Sequence, residues 1–310
     1  MEYRKLGRTD LITSFIGLGT LQFGGELGKQ FTQIEIDRII AAAADSGINF
    51  VDTAECYGHH QVESLIGKAI GENRKHWIVA TKFGHTFNNF MDRIPYWSPK
   101  SVTEQLERSL KALGTDYVDL YQFHSGNNKD FDEEGLWMTL ERHVKSGKIR
   151  YLGISIQHAL VINDDLYQIK SAEKVKAQTI QVVYNRLSRD AERLLLPYCK
   201  KNGLGVIARI PLARGFLGGK YSIEHMFPAN DLRSKQNKKM TTDMINDVEE
   251  IKKREVPESM DMAQYALQWI LRQPGVTTCV VGCKNVEQVK KNSLEGLDLE
   301  YKQKLGTDFV

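Results

Sequence analysis

Four side chains with chemistry to offer stand at the ends of apolar runs. Asp52 closes the run 49–52, and Tyr57 lies just beyond it. Lys82 follows the run 77–81, and His124 follows the run 118–123. If these runs are neighbouring strands, a carboxylate, a phenol, an amine and an imidazole converge on one edge. A lysine ammonium near a phenol favours the phenolate and lowers the phenol's pKa, while a carboxylate beside that ammonium keeps it charged and in place. A neutral imidazole can orient a carbonyl by hydrogen bonding. The product is a tyrosine able to give a proton to a developing alkoxide and to take it back in reverse. With a hydride donor alongside, that is the equipment for carbonyl reduction. Each residue also has a plain structural reading: Asp52 before Thr53 as a helix cap, Lys82 as a solvated strand end, His124 as a satisfied core histidine, Tyr57-Gly58 as a turn. Their coincidence at three successive strand ends favours the chemical reading.

The elements that would position them repeat along the chain. Eight short Val/Ile/Leu/Phe-rich runs read as strands: 15–18, 49–52, 77–81, 118–123, 151–155, 179–184, 205–210 and 278–281. They alternate little between apolar and polar, as strands buried on both faces of a parallel sheet should. Amphipathic stretches at 32–46, 62–70, 101–113, 134–146, 191–202 and 286–294 read as helices, and Gly47, Gly71, Gly114, Gly147 and Gly203 follow as stops. The rhythm is that of repeated strand-helix units. Eight such units close into one (β/α)8 TIM barrel, in which reacting groups come from the C-terminal ends of the strands. A doubly wound open sheet is disfavoured because no GxGxxG follows the first strand. The polar stretch from Tyr3 to Ser14 fits a short N-terminal β-hairpin closing the barrel bottom, and 211–242 fits a long loop between strands seven and eight. A short charged tail follows Gly296. Residues 1–310 are expected to form a single barrel domain.

Composition narrows the partners. Lys+Arg 42 against Asp+Glu 39 gives a net charge of +3 over 310 residues, too balanced to argue for nucleic acid or an anionic membrane surface. No apolar run approaches the roughly 18 residues of a spanning helix, and no signal peptide is visible behind Met1-Glu2-Tyr3-Arg4-Lys5. The four cysteines, Cys56, Cys199, Cys279 and Cys283, include no CxxC and make no disulfide framework. The expectation is a reduced, cytoplasmic protein with no metal site and a small-molecule substrate; oligomeric state is not legible.

Longer motifs carry a family resemblance. Asn49-Phe50-Val51-Asp52-Thr53-Ala54-Glu55-Cys56-Tyr57-Gly58 resembles the aldo-keto reductase motif that holds a catalytic Asp and Tyr. Glu63-Ser64-Leu65-Ile66-Gly67, Ala80-Thr81-Lys82, the run from Leu113 to His124, and Gly153-Ile154-Ser155 extend the resemblance over almost the whole chain, from Leu6 to Asn292. It implies a catalytic tetrad of Asp52, Tyr57, Lys82 and His124, with Tyr57 as proton donor. It also implies a nicotinamide cofactor bound without a Rossmann motif, NADPH being favoured over NADH. Around the nicotinamide the resemblance places Gly19, Thr20, Leu21, Asp52, Ser155, Gln181 and Arg209. Farther along the cofactor it implies Pro211, Leu212, Gly215, Lys220, Gly282, Lys284, Asn285, Gln288 and Asn292. The last segment also reads physically: Asn285 with Gln288 is a capping-box variant, a helix start offers N–H groups to phosphate, and Lys284 adds a positive charge. Three positions depart from the family pattern: Ile156 replaces a usual Asn, Gln288 stands where many relatives have Arg, and Arg209 stands where relatives carry an aromatic ring over the nicotinamide. Guanidinium is planar and stacks on flat π systems, so Arg209 either covers that ring or turns outward to a carboxylate.

Two other functions fit less well. Lys82 at a barrel strand end is where the Schiff-base lysine of a lyase stands, but Asp52 would hold it protonated. The fold is also similar to that of cofactor-sensing potassium-channel β subunits, for which no interaction patch stands out here. Cys56 reads as a small buried residue, Tyr96-Trp97 equally as pocket lining or rim packing, and Lys235, Lys238 and Lys239 as a solvated loop.

Overall fold

The computed structural model describes residues 1–89 and 92–293. The expected tail after Gly296, and residue 294 at the end of the last expected helix, lie outside the described residues. The chain opens with an antiparallel hairpin of β1 (Tyr3–Lys5) and β2 (Ile12–Ser14). Strands and helices then alternate: β3 (Ile16–Gly19), α1 (Gln33–Asp45), β4 (Phe50–Asp52), α2 (Gln61–Ile70) and β5 (Ile78–Phe83). A second hairpin, β6 (His85–Asn89) with β7 (Asp92–Pro95), precedes α3 (Pro99–Leu113) and β8 (Val118–His124). Then come α4 (Asn128–Phe131), α5 (Leu136–Lys145), β9 (Ile149–Ser155), α6 (His158–Ile162), α7 (Tyr167–Lys170), β10 (Ala177–Val183), α8 (Leu195–Lys201) and β11 (Gly205–Arg209). The chain continues with α9 (Lys238–Glu255), α10 (Met262–Leu271), β12 (Thr278–Gly282) and α11 (Val286–Asn292). Among the described residues no helix is long and apolar enough to cross a membrane.

Strands β3, β4, β5, β8, β9, β10, β11 and β12 pair in parallel and close into a barrel, β12 returning to β3. These are the eight strands read from the sequence. Their apolar runs are buried because the helices cover the outside and side chains fill the inside, which leaves no wetted face to alternate against. Leu6 and Leu11, from the turn between β1 and β2, pack with Phe50, Ala80, Leu120, Ile207 and Val280 inside the barrel. The hairpin thus plugs the bottom, as expected. α1 starts at a full capping box: the Thr32 side chain accepts from Glu35 N, and the Glu35 carboxylate accepts from Thr32 N.

The segment after β11 is more ordered than the expected loop. It makes helical turns at Ala213–Gly218 and Leu232–Lys235, and α9 begins at Lys238, inside the stretch expected to be loop. α9 and α10 carry no matching expectation. α9 is polar around most of its girth and buries only Ile245, Val248 and Ile251, so its apolar stripe is thin. Those residues pack with Ala213, Phe216, Leu217, Met262, Tyr265 and Ala266 as a second core, which fixes the turn after β11 against the barrel.

Candidate active site

Strand register brings the predicted residues to one rim. Gly19 pairs with both Asp52 and Gly282, Lys82 with Gln122, and Ser155 with both His124 and Gln181. In seven of the eight strands the last residue or the one before it is a predicted site residue, β11 ending at Arg209; β10 adds Gln181 two residues before its end.

Lys82 is the hub. Its Nζ donates to Asp52 Oδ2 at 2.7 Å, to the Thr53 carbonyl at 2.6 Å and to the Tyr57 hydroxyl at 3.4 Å. Lys82 is fully buried and Asp52 nearly so. Burial alone would lower the Lys82 pKa, but the Asp52 charge and its hydrogen bond outweigh it, with Tyr57 adding to them, and the ammonium is held above its ordinary value. A protonated amine is a poor Schiff-base nucleophile, which counts against the lyase reading. Tyr57 behaves differently from the sequence expectation. Lys82 does pull the phenol down, but burial dominates, Asp52 adds to it, and the pKa is pushed up to about 12. At neutral pH the phenol therefore keeps its proton, as a general acid must. The His124 ring stands edge-on to the Tyr57 ring, with centroids 6.4 Å apart.

Asp52 is itself held. Gln181 Nε2 donates to Asp52 Oδ1 at 2.7 Å and Gln122 Nε2 donates to the same oxygen at 3.2 Å. Ser155 Oγ donates to Gln181 Oε1 at 3.1 Å, and Thr20 Oγ1 to the Asp52 carbonyl at 3.0 Å. Gln122 is a residue that sequence reasoning missed. The signal was available: it stands two before His124 on one strand, and residues two apart share a face.

Of the weaker features, Cys56 is fully buried, and Lys235, Lys238 and Lys239 are exposed. Tyr96 and Trp97 part company: Tyr96 is exposed, while Trp97 is buried against Phe123 with centroids 4.3 Å apart. Gly84 makes room for it, because a Cβ there would come within 1.8 Å of the Trp97 ring, and the Gly84 φ of +139° suits glycine alone.

The residues expected around a cofactor divide into groups. Gly19, Thr20 and Leu21 line the end of β3, Thr20 buried and the others half-buried. Arg209 turns into the site: its Nη2 donates to the Ile156 carbonyl at 3.2 Å, its Nε is buried without a hydrogen-bond partner, and no carboxylate pairs with it among the described residues. Burial lowers its pKa, with Tyr57 and Asp52 close enough to oppose that. The chain after it is strained, with Ile210, Ala213 and Arg214 in left-handed backbone at φ of 59°, 47° and 57°. Pro211 is buried there, Leu212 and Gly215 are half-buried, and Lys220 is exposed.

Beyond β12, Gly282 and Asn285 are exposed, and Lys284 is half-buried. Asn285 caps α11 by accepting from Gln288 N at 2.8 Å. The reach-back of Gln288 goes one residue farther than in a standard box, its Oε1 accepting from Lys284 N at 2.8 Å. Asn292 is buried and donates to Cys283 Sγ at 3.5 Å. Lys284 has its pKa lowered by burial and then by Arg233, Lys220 and Lys29. The nearby carboxylate, Asp231, is already bonded to Arg233 at 2.6 Å. This surplus of cations suits the phosphates of a dinucleotide. Lys29 and Arg233 were missed in the sequence; Lys29 lies in a loop and Arg233 in the helical turn Leu232–Lys235, and only the fold carries them to Lys284.

A family model described as the Aldo/keto reductase family matches residues 15–303. The chain is 34% identical over 300 residues to the aldo-keto reductase YhdN of Bacillus subtilis (strain 168), covering 94% of this chain and 87% of that protein. It is 28% identical to the aldo-keto reductase yakc [NADP(+)] of Schizosaccharomyces pombe, covering 93% of this chain and 85% of the relative. Among solved structures it resembles the aldo-keto reductase AKR11C1 from Bacillus halodurans in its holo form, with TM-score 0.78, 29% identity, and 100% and 98% of the two chains covered. Barrel fold and sequence agree: the chain belongs to the aldo/keto reductase family.

Proposed function

We propose that the chain reduces aldehydes and ketones to alcohols with NADPH, Tyr57 giving the proton. The observation that carries this reading is the Tyr57 hydroxyl 3.4 Å from a Lys82 ammonium fixed by Asp52. The nicotinamide supplies a hydride to the carbonyl carbon when bound. The chain's own part is to polarise the carbonyl oxygen, with Tyr57 and His124 as the donors at hand, and to pass it the Tyr57 proton as negative charge builds. Lys82 stabilises the phenolate left behind, and Asp52, held by Gln122 and Gln181, keeps Lys82 in place. The test is oxidation of NADPH and NADH against a panel of carbonyls; no turnover with any of them would refute the reading. The four cysteines are buried thiols rather than disulfides, which fits a cytoplasmic, reducing setting.

The preference for NADPH rests on the cations around Lys284 and on the NADP(+) in the name of the Schizosaccharomyces relative. Lys284→Ala is expected to weaken NADPH about tenfold, since a hydrogen bond to a charged group contributes about 1.5–3 kcal/mol, and to change NADH binding little. Titrating both cofactors into the variant decides it; an equal loss for the two argues that Lys284 does not read the 2′-phosphate. Arg209 is proposed to cover the nicotinamide, where its charge disfavours the positive, oxidised ring. Arg209→Trp keeps a stacking surface without the charge. The variant should shift the ratio of dissociation constants toward the oxidised cofactor, and an unchanged ratio removes Arg209 from that face.

A further inference from the structure

His124 belongs to a second group of side chains, most of which the proposed reaction does not use. Glu55, Cys56, His85 and His124 each offer one donor atom, and the four atoms lie within 4.8 Å of one another. Cys56 Sγ is 3.7 Å from His124 Nδ1, His85 Nδ1 is 2.9 Å from Glu55 Oε1, and Glu55 Oε2 is 4.0 Å from His124 Nδ1. The two imidazoles are nearly perpendicular, at 85°, with centroids 5.2 Å apart. Glu55 and Cys56 are fully buried, while the side chains of His85 and His124 keep 16% and 13% exposure, so the group opens to solvent on its histidine side.

We propose that these four side chains bind a thiophilic divalent cation of the zinc type, and that occupancy withdraws His124 from carbonyl reduction. The donor set of one thiolate, two imidazoles and one carboxylate is what zinc takes and what magnesium or calcium does not. With Zn–N of about 2.0–2.1 Å and Zn–S of about 2.3 Å, a tetrahedral site has edges of about 3.3–3.6 Å. The Cys56–His124 edge of 3.7 Å is already near that size. The others fall on both sides of it, so closure needs side-chain movements rather than a refolded backbone. A second observation points to a cation: Glu55 Oε2 is buried and has no hydrogen-bond partner among the described residues. A buried carboxylate oxygen left unsatisfied is costly, and an ion among these donors removes the cost. Cys56 binds as the thiolate, its proton passing to solvent. The sequence expectation was of no metal site, because the donors come from the turn after β4, from β6 and from the end of β8, with no local spacing to advertise them.

The inhibitory half rests on the reduction proposed above; the binding half does not. The metal-free chain is titrated with Co2+ and Zn2+ without nicotinamide or carbonyl. The expected result is one Co2+ per chain, showing the ligand-field bands of a tetrahedral ion and a thiolate-to-cobalt charge-transfer band, all displaced by Zn2+. Cys56→Ser should abolish the charge-transfer band. It should also weaken Zn2+ at least about tenfold, since loss of an outer-shell partner alone costs that much. His85→Gln, at a part-exposed side chain, should weaken Zn2+ likewise and keeps the test sound if Cys56→Ser folds poorly. In turnover, Zn2+ should lower kcat of the parent chain, and at least about tenfold more should be needed in His85→Gln. Cobalt bound without the charge-transfer band, or Zn2+ held equally by parent and variants, overturns the site. Tight Zn2+ binding with undiminished reduction overturns the inhibition. A chain that binds Zn2+ as described but reduces no carbonyl counts against the reductase reading and not against the site.

Discussion

Tyr57→Phe is expected to lower kcat for an unactivated aldehyde by about 10²–10⁴-fold, the worth of a positioned general acid. The substitution removes one hydroxyl from a half-buried ring and leaves the cofactor positions untouched, so NADPH affinity should change little. Steady-state rates and a cofactor titration on the same preparation separate the two effects. A variant that keeps near-parental kcat would show that another group delivers the proton. The pH profile carries the same assignment with a definite sign. Burial raises the phenol to about 12 from its ordinary 10, so the acid form persists through neutral pH. The rate of reduction should therefore be flat across neutrality and fall only on the alkaline side, as the phenol begins to lose its proton.

Lys82→Met is expected to damage both stability and rate. It leaves the Asp52 carboxylate buried with Gln122 and Gln181 as its remaining side-chain donors, and breaking one side of a buried pair costs about 3–5 kcal/mol. It also removes the largest influence that lowers the Tyr57 pKa, so the phenolate left after proton transfer is less stable and kcat falls. Urea unfolding of Lys82→Met, Asp52→Asn and the double variant measures the coupling; the double variant should recover much of the single variant's loss, and simple additivity would contradict the pairing. In the parent chain the Lys82 pKa is raised above its ordinary 10.5. The folded state thus favours the protonated amine. Its stabilisation is full below about that ordinary value and is lost only as pH rises through the raised one.

Much of this was legible because the barrel is regular. Buried parallel strands must be apolar throughout, so all eight stood out, and their C-terminal ends pointed to Asp52, Lys82 and His124 before any contact was known. What was not legible has physical causes. α9 buries only Ile245, Val248 and Ile251 and is polar over most of its girth, and α10 is apolar over most of its girth. The sign of the Tyr57 shift was misjudged because proximity to Lys82 can be inferred from sequence, whereas burial, the larger influence, cannot. The ordering of Asp52 by Gln122, and of Lys284 among Lys29, Lys220 and Arg233, depends on which loops and strands face one another. Composition and spacing do not record that.

The plug at the barrel floor has a consequence for how the chain comes to be folded. Leu6 and Leu11 leave the ribosome before any of their partners, Phe50, Ala80, Leu120, Ile207 and Val280, which are spread over most of the chain. Arg4 likewise donates to the carbonyls of Leu271 and Val276, close to the last strand. This segment therefore has no place to dock until β12 has closed the ring, and such long-range contacts form slowly. During synthesis its Leu6 and Leu11 wait unburied, and their docking should report completion of the barrel. In pulse-labelling hydrogen exchange the Leu6 amide, which donates to the Leu11 carbonyl at 2.8 Å, should gain protection with the slowest phase.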